Sequence, residues 1–352
     1  MMRIAQVAPL FERVPPVTYG GTERVVAYLT DALVELGHDV TLFASGDSCT
    51  RARLVPAAPQ SLRLDTACRD TMAPQIRELE LVSRMAHRFD VIHFHTGFLH
   101  LPLTRHLPAP CVTTMHGRLD FGELAPMMGD FADAPFVSIS NHQRRPYPNQ
   151  NWCATVYHGL PPRLLPFRAR PDDYVAFVGR ISPEKRVDRA IEIARRAGLE
   201  LRVAAKIDAV DKEYFDREIA PLMDQPHVRY LGEIGEQEKA QLMGAARALL
   251  FPIDWPEPFG MVVIEAMSCG TPVIAWPDGS VPELLEPGVT GWIVDSIDDA
   301  VEALAHVDEI DRAACRTAFE QRFTAARMAG DYVAVYKRLR ESSRGCLEAR
   351  TA

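Results

Sequence analysis

The chain has 352 residues, of which 47% are hydrophobic and 24% are charged, and its formal net charge is −8 with an isoelectric point near 5.8. A chain of this length usually forms more than one hydrophobic core, so we expect two domains. The acidic net charge argues against nucleic acid or an anionic lipid surface as a partner. The sequence contains no run of about 18 apolar residues, so it predicts no integral membrane segment.

Strand and helix patterns alternate through the first half of the chain. Val25, Leu29 and Leu33 recur at helical spacing between two apolar runs. Such strand, helix, strand units predict a parallel sheet with helices on both faces and with ligand-binding loops at its carboxyl edge. The apolar runs predict strands at residues 4–8, 40–44, 90–94, 112–114 and 136–139.

A proline-rich stretch from Leu160 to Pro171 interrupts this alternation, which predicts a domain junction near residue 160. The second half then repeats the pattern. Strands are predicted at residues 174–179, 201–205, 228–231, 248–251, 272–275 and 290–294, and helices near 187–197, 236–246, 261–269 and 325–339. The predicted fold class is α/β, with two doubly wound domains at residues 1–160 and 161–329.

The cysteines and the N-terminal residues indicate in which cellular compartment the protein is expected. The seven cysteines are scattered, odd in number and never spaced as Cys-x-x-Cys, which argues against a disulfide framework or structural zinc. The N-terminal apolar run reaches Pro9 almost at once and is too short for a signal peptide. We therefore expect a cytoplasmic protein.

The segment from Trp255 to Glu265 is the most informative in the chain. It places Glu257 and Glu265 eight positions apart across the start of an apolar helix, which we expect to begin near Gly260 and to end before Gly270. Backbone N–H groups of Phe259, Gly260 and Met261 in the first turn favour an anionic or oxygen-rich ligand. The alternative is a pair of ordinary surface acids that complement the helix dipole.

Further motifs follow other strands of the second half. Residues 177–185 predict a strand that ends in a turn at Gly179 and is followed by two cations, Arg180 and Lys185. Lys206 closes the next strand and would lie on the same edge as a third cation. The alternatives are an exposed turn with solvated charges and, for Lys206, a surface lysine whose stem covers apolar surface.

These motifs, in this order, resemble the C-terminal half of the family 4 retaining glycosyltransferases of the GT-B fold. The resemblance extends over nearly the whole chain, because the first half has a Gly20-Gly21 turn after its first strand and Thr-Met-His-Gly at residues 114–117. It implies two Rossmann-like domains that face each other across a cleft. It also implies that the last helix, about residues 330–352, crosses back to the first domain.

The resemblance implies roles for individual residues. Catalytic roles fall to His116 beside the sugar, to Glu257 on its 3-hydroxyl, and to Arg180 and Lys185 on the departing diphosphate. Glu265 would bind the ribose, and the backbone around Glu233 and Ile234 would meet the uracil. The donor-binding set is Gly20, Gly21, Gly179, Lys206, Glu233, Ile234, Phe259, Gly260, Met261 and Glu265, with Gly279 and Glu283 as second-rank candidates.

The implied reaction moves a hexose, with glucose expected, from a UDP-sugar to a hydroxyl acceptor with retention of configuration. No cofactor or metal is expected, since the chain contains no Asp-x-Asp motif, and His93, His95, His100 and His106 lack a carboxylate or cysteine cluster. The alternatives are another GT-B enzyme, such as a nucleotide-sugar epimerase or a glycosyl phosphorylase, and a non-catalytic sugar-nucleotide binding protein. A phosphorylase would need a pyridoxal-binding lysine, which no motif of the sequence indicates.

The acceptor is expected to be a small molecule or a saccharide. Its contacts are predicted in three loops of the first domain, at residues 13–19, 95–106 and 118–133. Residues 12–16 and 253–257 are similar to a bacterial subgroup that includes enzymes glucosylating tetrahydrobiopterin. The lack of a basic membrane-facing patch favours a soluble acceptor.

Overall fold

The computed structural model describes residues 1–17 and 20–351. Thr18 and Tyr19, which belong to a loop predicted to contact the acceptor, and Ala352 in the predicted last helix lie outside the described residues. The chain divides into two compact units. Unit 1 contains Met1–Gly159 and Ala325–Ala352, and unit 2 contains Leu160–Thr324.

Unit 1 is built on a parallel sheet whose strand order, within the described residues, is β3-β2-β1-β4-β5-β6-β7. The strand order changes direction at β1, between β1 and β4. Doubly wound sheets bind ligands at this position. The strands are β1 (Arg3–Val7), β2 (Asp39–Ser45), β3 (Arg53–Ala58), β4 (Val91–Phe94), β5 (Cys111–Thr114), β6 (Phe136–Ser138) and β7 (Trp152–Thr155). The helices are α1 (Gly21–Glu35), α2 (Met72–Met85), α3 (Leu101–Thr104) and α4 (Leu124–Asp130), joined by the C-terminal helix α13 (Ala325–Thr351).

Unit 2 repeats this architecture with the strand order β10-β9-β8-β11-β12-β13 within the described residues. Its strands are β8 (Tyr174–Arg180), β9 (Glu200–Lys206), β10 (Val228–Gly232), β11 (Ala248–Phe251), β12 (Val273–Ala275) and β13 (Gly291–Ile293). Its helices are α5 (Val187–Ala197), α6 (Lys212–Tyr214), α7 (Ala220–Met223), α8 (Glu236–Ala245), α9 (Met261–Cys269), α10 (Val281–Leu284), α11 (Ile297–Ala305) and α12 (Arg312–Arg322). Single turns of tighter or wider helix occur at Ala86–Arg88, His142–Arg144, Pro183–Lys185, Ala209–Asp211, Phe215–Ile219 and Val307–Glu309.

The predicted fold class is confirmed, because both sheets are parallel and carry connecting helices. Helices cover both faces of a doubly wound sheet, so its central strands are buried throughout and appear in the sequence as continuous apolar runs. The core of unit 2 illustrates this, since Val175, Phe177, Leu201, Val203 and Leu250 are at most 3% exposed.

Arg312 joins α12 to the rest of unit 2 from a buried position. Its guanidinium donates to the carbonyl oxygens of Arg168, Ala246 and Gly244 at 2.7–3.0 Å and to Thr271 Oγ1 at 2.8 Å. A buried arginine is tolerated where its N–H groups are paired in this way. Among the described residues, no helix combines the length and apolar composition that crossing a bilayer requires.

Candidate active site

Several of the residues predicted to bind the donor lie at or after the carboxyl ends of neighbouring strands in unit 2. Strands β10, β9, β8, β11 and β12 are adjacent in that order. Because parallel strands all end at the same edge, residues far apart in sequence come together there. Taken strand by strand, this edge carries Glu233 and Ile234, Lys206, Arg180, Glu257 and Gly279.

Arg180 and Lys206 are direct partners in the register of β8 and β9. Asp208 pairs with both, at 3.3 Å from Arg180 Nη1 and 2.8 Å from Lys206 Nζ, and Glu184 lies 3.2 Å from Arg180 Nη2. Burial by itself would raise the pKa of Asp208, but the hydrogen bonds and charges of Lys206 and Arg180 lower it. Two cations therefore meet at this edge, held by carboxylates.

The predicted turn at Gly179 is wrong. Gly179 lies inside β8, opposite Ala205, and the strand continues to Arg180 because the ladder to β9 extends through both residues. A Cβ placed on Gly179 would meet no protein atom within 4 Å. The glycine therefore leaves open space beside Arg180, which a ligand could use.

Lys185 and Glu257 form an ion pair whose side chains are only 15% and 12% exposed. The Lys185 ammonium also lies 4.6 Å from the centre of the Trp255 ring and 5.5 Å from that of Phe251. Cations interact favourably with aromatic faces at such distances. The ion pair and the two rings hold Lys185 in one place.

Gly279 supports the loop that carries Glu257. Its φ is +64°, and an added Cβ would lie 2.3 Å from the backbone N and O atoms of Glu257. The next residue, Ser280, donates its backbone N–H to the Glu257 carbonyl at 2.9 Å and its hydroxyl to the Phe259 carbonyl at 2.7 Å. The Glu257 backbone therefore leaves no room for a side chain at position 279, which explains the glycine there.

The predicted start and end of the helix after Glu257 are confirmed. Gly260 precedes α9 at φ +78°, and Gly270 follows it at φ +79°. Glu265 is 5% exposed on this helix and accepts a 2.6 Å hydrogen bond from Lys239 of α8. Phe259, which precedes the helix, is only 2% exposed, and its carbonyl accepts a 2.7 Å hydrogen bond from the Ser280 hydroxyl.

The remaining predicted residues of unit 1 lie at the carboxyl edge of its own sheet. Gly20 has φ +152°, and an added Cβ would approach Pro16 Cβ to 2.8 Å. Gly21 begins α1, and a Cβ there would meet nothing within 4 Å. The backbone between β1 and α1 is therefore tightly folded at Gly20 and open at Gly21.

His116 follows β5 and belongs to a buried group of imidazoles in unit 1. Its Nε2 is 2.8 Å from His95 Nδ1, and its ring stacks on His158 with centroids 5.2 Å apart. Burial lowers the pKa of His116 to about 3. It also places the pKa values of His95, His93 and His158 well below the usual value, so these rings are neutral at pH 7.

Three neighbours of the predicted residues were missed by sequence reasoning. Lys239 reaches Glu265 from 26 positions away, Asp208 pairs with both Arg180 and Lys206, and His158 stacks on His116. Only Asp208 carried a local signal, because it follows β9 directly at the ligand-binding edge. Lys239 lies in a polar helix start and His158 in an irregular segment, which are positions without a distinguishing pattern.

Two family models match the chain. Glycosyltransferase Family 4 matches residues 19–178, and Glycosyl transferases group 1 matches residues 167–317, so that between them they span 19–317. The chain belongs to the GT-B glycosyltransferases. Each family model thus matches one half of the chain, in the order expected of the fold.

Curated relatives are similar over part or most of their length. Glycogen synthase of Mycobacterium tuberculosis is 25% identical over 332 residues, which is 79% of each protein. D-inositol 3-phosphate glycosyltransferase of Mycobacterium avium is 35% identical over 141 residues, 38% of this chain and 33% of that protein. O-antigen chain mannosyltransferase B of Escherichia coli is 25% identical over 202 residues, 54% of this chain and 52% of that protein. The chain thus spans about half the length of two of the curated relatives it matches.

Solved structures share the fold over the full chain. AviGT4, a glycosyltransferase involved in avilamycin A biosynthesis, has a TM-score of 0.73 and 25% identity, with 97% of this chain and 98% of that chain covered. Sucrose-phosphate synthase from Thermosynechococcus elongatus has a TM-score of 0.79 at 18% identity, covering 97% and 100%. HepE of Anabaena, crystallised with UDP and glucose, has a TM-score of 0.74 at 17% identity, covering 96% and 100%. The last two similarities establish the fold.

Proposed function

We propose that this protein is a retaining hexosyltransferase that moves a hexose, glucose first among candidates, from a UDP-sugar to a hydroxyl acceptor. The observation that carries the proposal is the edge of the unit 2 sheet. There, two basic side chains lie at adjacent strand ends, and two buried carboxylates, Glu257 in the loop after β11 and Glu265 on the following helix α9, are each paired with a lysine. A nucleotide sugar offers the matching groups, which are phosphates for the cations and hydroxyls for the carboxylates.

Arg180 and Lys206 bind the diphosphate in this proposal. Arginine presents a planar fork that suits two phosphate oxygens, and lysine acts as a point charge. Asp208 and Glu184 hold these cations in place, and the phosphates of the donor compete with the two carboxylates for them. As the sugar departs, the fixed positive charge stabilises the negative charge that develops on the diphosphate.

Glu257 and Glu265 bind the hydroxyls, with Glu257 on the transferred hexose and Glu265 on the ribose. Lys185 keeps the Glu257 carboxylate in one orientation, and its charge is available to the diphosphate. The uracil meets the backbone at Glu233 and Ile234. Phe259, Gly260 and Met261 contribute backbone N–H groups from the start of α9.

Catalysis with retention needs no protein nucleophile in this proposal. A donor phosphate oxygen removes the proton from the acceptor hydroxyl on the face that the diphosphate leaves. The chain's own cations then neutralise the charge of the leaving diphosphate, for which other glycosyltransferases use a metal ion. We therefore propose a metal-independent reaction with an α-linked product from an α-linked donor.

The acceptor is proposed to be a small molecule or a saccharide that presents a hydroxyl. Tetrahydrobiopterin is one compound to test, because of the similarity of residues 12–16 and 253–257 to the subgroup that glucosylates it. UDP and glucose are bound by HepE, a protein of the same fold, which makes UDP-glucose the first donor to test.

The decisive experiment is a donor panel of UDP- and GDP-linked hexoses incubated with candidate acceptors and cell extract, with product mass spectrometry. NMR of the earliest product gives the anomeric configuration. We expect transfer from a UDP-hexose with retention, loss of transfer in Glu257→Gln, and unchanged turnover with a chelator. A β-linked product from an α-linked donor would contradict retention, and donor turnover without transfer would favour an epimerase.

A further inference from the structure

A chain of hydrogen bonds in unit 1 connects the C-terminal helix to His116. Gln6 Nε2 donates to Tyr336 Oη at 3.0 Å, and His95 Nε2 donates to Gln6 Oε1 at 2.7 Å. The other ring nitrogen of His95, Nδ1, lies 2.8 Å from His116 Nε2. Tyr336, Gln6 and His95 are 0%, 0% and 3% exposed, so water does not compete for these bonds. We call the four residues Tyr336, Gln6, His95 and His116 the histidine relay.

The direction of each bond in the histidine relay follows from the Gln6 amide. A neutral imidazole carries one proton. His95 uses its proton at Nε2 to reach the Gln6 oxygen, so its Nδ1 must accept. The partner of that Nδ1 is His116 Nε2, which must therefore carry the His116 proton. His116 Nδ1 is left with a free lone pair.

The amide of Gln6 is itself anchored at its other end. Tyr336 Oη accepts from Gln6 and lies 2.7 Å from His93 Nδ1, to which it donates. His93 Nε2 then lies 2.7 Å from Thr114 Oγ1, which contacts Tyr332 Oη at 2.8 Å. Each group in this buried extension can act once as donor and once as acceptor, which holds the amide orientation.

His116 Nδ1 ends the histidine relay without a protein partner. It is buried and makes no hydrogen bond to any described residue. Buried polar atoms in native proteins are nearly always paired, so an unpaired one calls for an explanation such as a ligand. A lone pair accepts, and the groups that a sugar can donate are its hydroxyls.

We propose that Gln6 and His95 are positioning residues that hold His116 in its Nε2–H tautomer, so that Nδ1 accepts a hydrogen bond from a hydroxyl of the transferred sugar. The part that concerns the sugar rests on the proposed function. The part that concerns the tautomer does not, because it follows from the hydrogen bonds of unit 1. His116 acts here as a neutral acceptor and not as an acid.

The tautomer is measured directly by NMR of the full chain labelled with ¹⁵N-histidine. We expect the His116 signals of a protonated Nε2 and an unprotonated Nδ1. In Gln6→Leu, which replaces the amide with an apolar group of similar size, His95 loses its acceptor and the His116 signals should become a mixture of both tautomers. Tyr336→Phe should shift the signals in the same direction, because the amide loses its anchor and can rotate.

Activity gives the second readout. We expect Gln6→Leu to lower kcat about tenfold while the KM for the donor stays within about twofold, since the lost bond positions only one contact. Thr30→Val is the matched control, because Thr30 is equally buried in α1 and lies outside the histidine relay. It should change neither the His116 signals nor kcat.

A proton on His116 Nδ1 in the unmodified protein would overturn the inference, as would unchanged His116 signals in Gln6→Leu. If Gln6→Leu does not fold, the spectra of the unmodified protein and of Tyr336→Phe decide the question. Absence of sugar transfer by the unmodified protein would refute the proposed function instead. The tautomer measurement would still stand in that case.

Discussion

Lowering the pH from 7 to 5 should destabilise unit 1 through its buried imidazoles. An imidazole in the unfolded chain has a pKa near 6.5 and takes up a proton as the pH falls. In the folded unit, burial lowers the pKa values of His93, His95, His100, His116 and His158. The unfolded state therefore binds more protons below pH 6.5, and the free energy of unfolding decreases until the pH reaches the folded pKa values.

The magnitude follows from the two residues whose folded pKa is about 3, His100 and His116. For each, the change from pH 7 to pH 5 removes about 2 kcal/mol of stability, or about 4 kcal/mol for the pair. The other three histidines act in the same direction. Glu78 acts in the opposite direction, because burial raises its pKa and it binds its proton more tightly in the folded state. We expect a net loss of about 4 kcal/mol or more.

The assay is urea unfolding at pH 7, 6 and 5, with hydrogen-exchange mass spectrometry to show which unit opens. Exchange should increase first in peptides that contain β4, β5 and the residues after them, because His93 lies in β4, His95 and His100 follow it, and His116 follows β5. His100→Gln removes one titrating group, so its difference between pH 7 and pH 5 should be about 2 kcal/mol smaller. Equal unfolding free energies at the two pH values, or opening confined to unit 2, would refute the reasoning.

Three substitutions test other parts of the structure. Gly279→Ala would force a Cβ to 2.3 Å from the Glu257 backbone, so we expect a loss of about 2 kcal/mol or more in thermal unfolding, together with reduced sugar transfer. Arg312→Met leaves the buried carbonyl oxygens of Ala246 and Gly244 and the partly buried one of Arg168 without their donor, and it should cost about 3 kcal/mol in urea unfolding, with no specific effect on donor KM. Arg180→Ala should lower kcat/KM for the donor at least about a hundredfold without lowering the unfolding temperature, and an activity within a factor of two would contradict its proposed role.

The central strands could be predicted from the sequence because burial on both faces of a parallel sheet requires an unbroken apolar run. The two strands that the sequence did not reveal, β3 and β7, are the edges of the unit 1 sheet. β3 contains Pro56, which an edge strand tolerates, and β7 is only half-buried. Helices α2, α3, α4, α6, α7, α11 and α12 were also not predicted. Edge strands lack the pattern that the prediction depends on.

In the candidate site, too, some features are marked by a local sequence pattern and others are not. The loop at Glu257 and the start of α9 follow local rules, since Pro258 and Gly260 fix the backbone within a few residues. The ion pair of Lys239 with Glu265 and the bond of Gln6 with Tyr336 join residues that are 26 and 330 positions apart. Such pairs are created when distant elements pack, and no local spacing marks them. The sequence therefore indicates the sheet edge where the site residues lie. It does not indicate the partners that orient their side chains.

Helix α13 has a consequence for the order in which the protein can be made. Unit 1 is interrupted by the whole of unit 2 and contains Tyr332 and Tyr336, which are fully buried against β4 and its neighbours. During translation, unit 2 emerges as one continuous stretch. The contacts of the unit 1 imidazoles with Tyr332 and Tyr336 can form only after the last helix has been synthesised. A nascent chain stalled before Ala325 leaves the polar interior of unit 1 incomplete, so the first domain to be translated is the last to be finished.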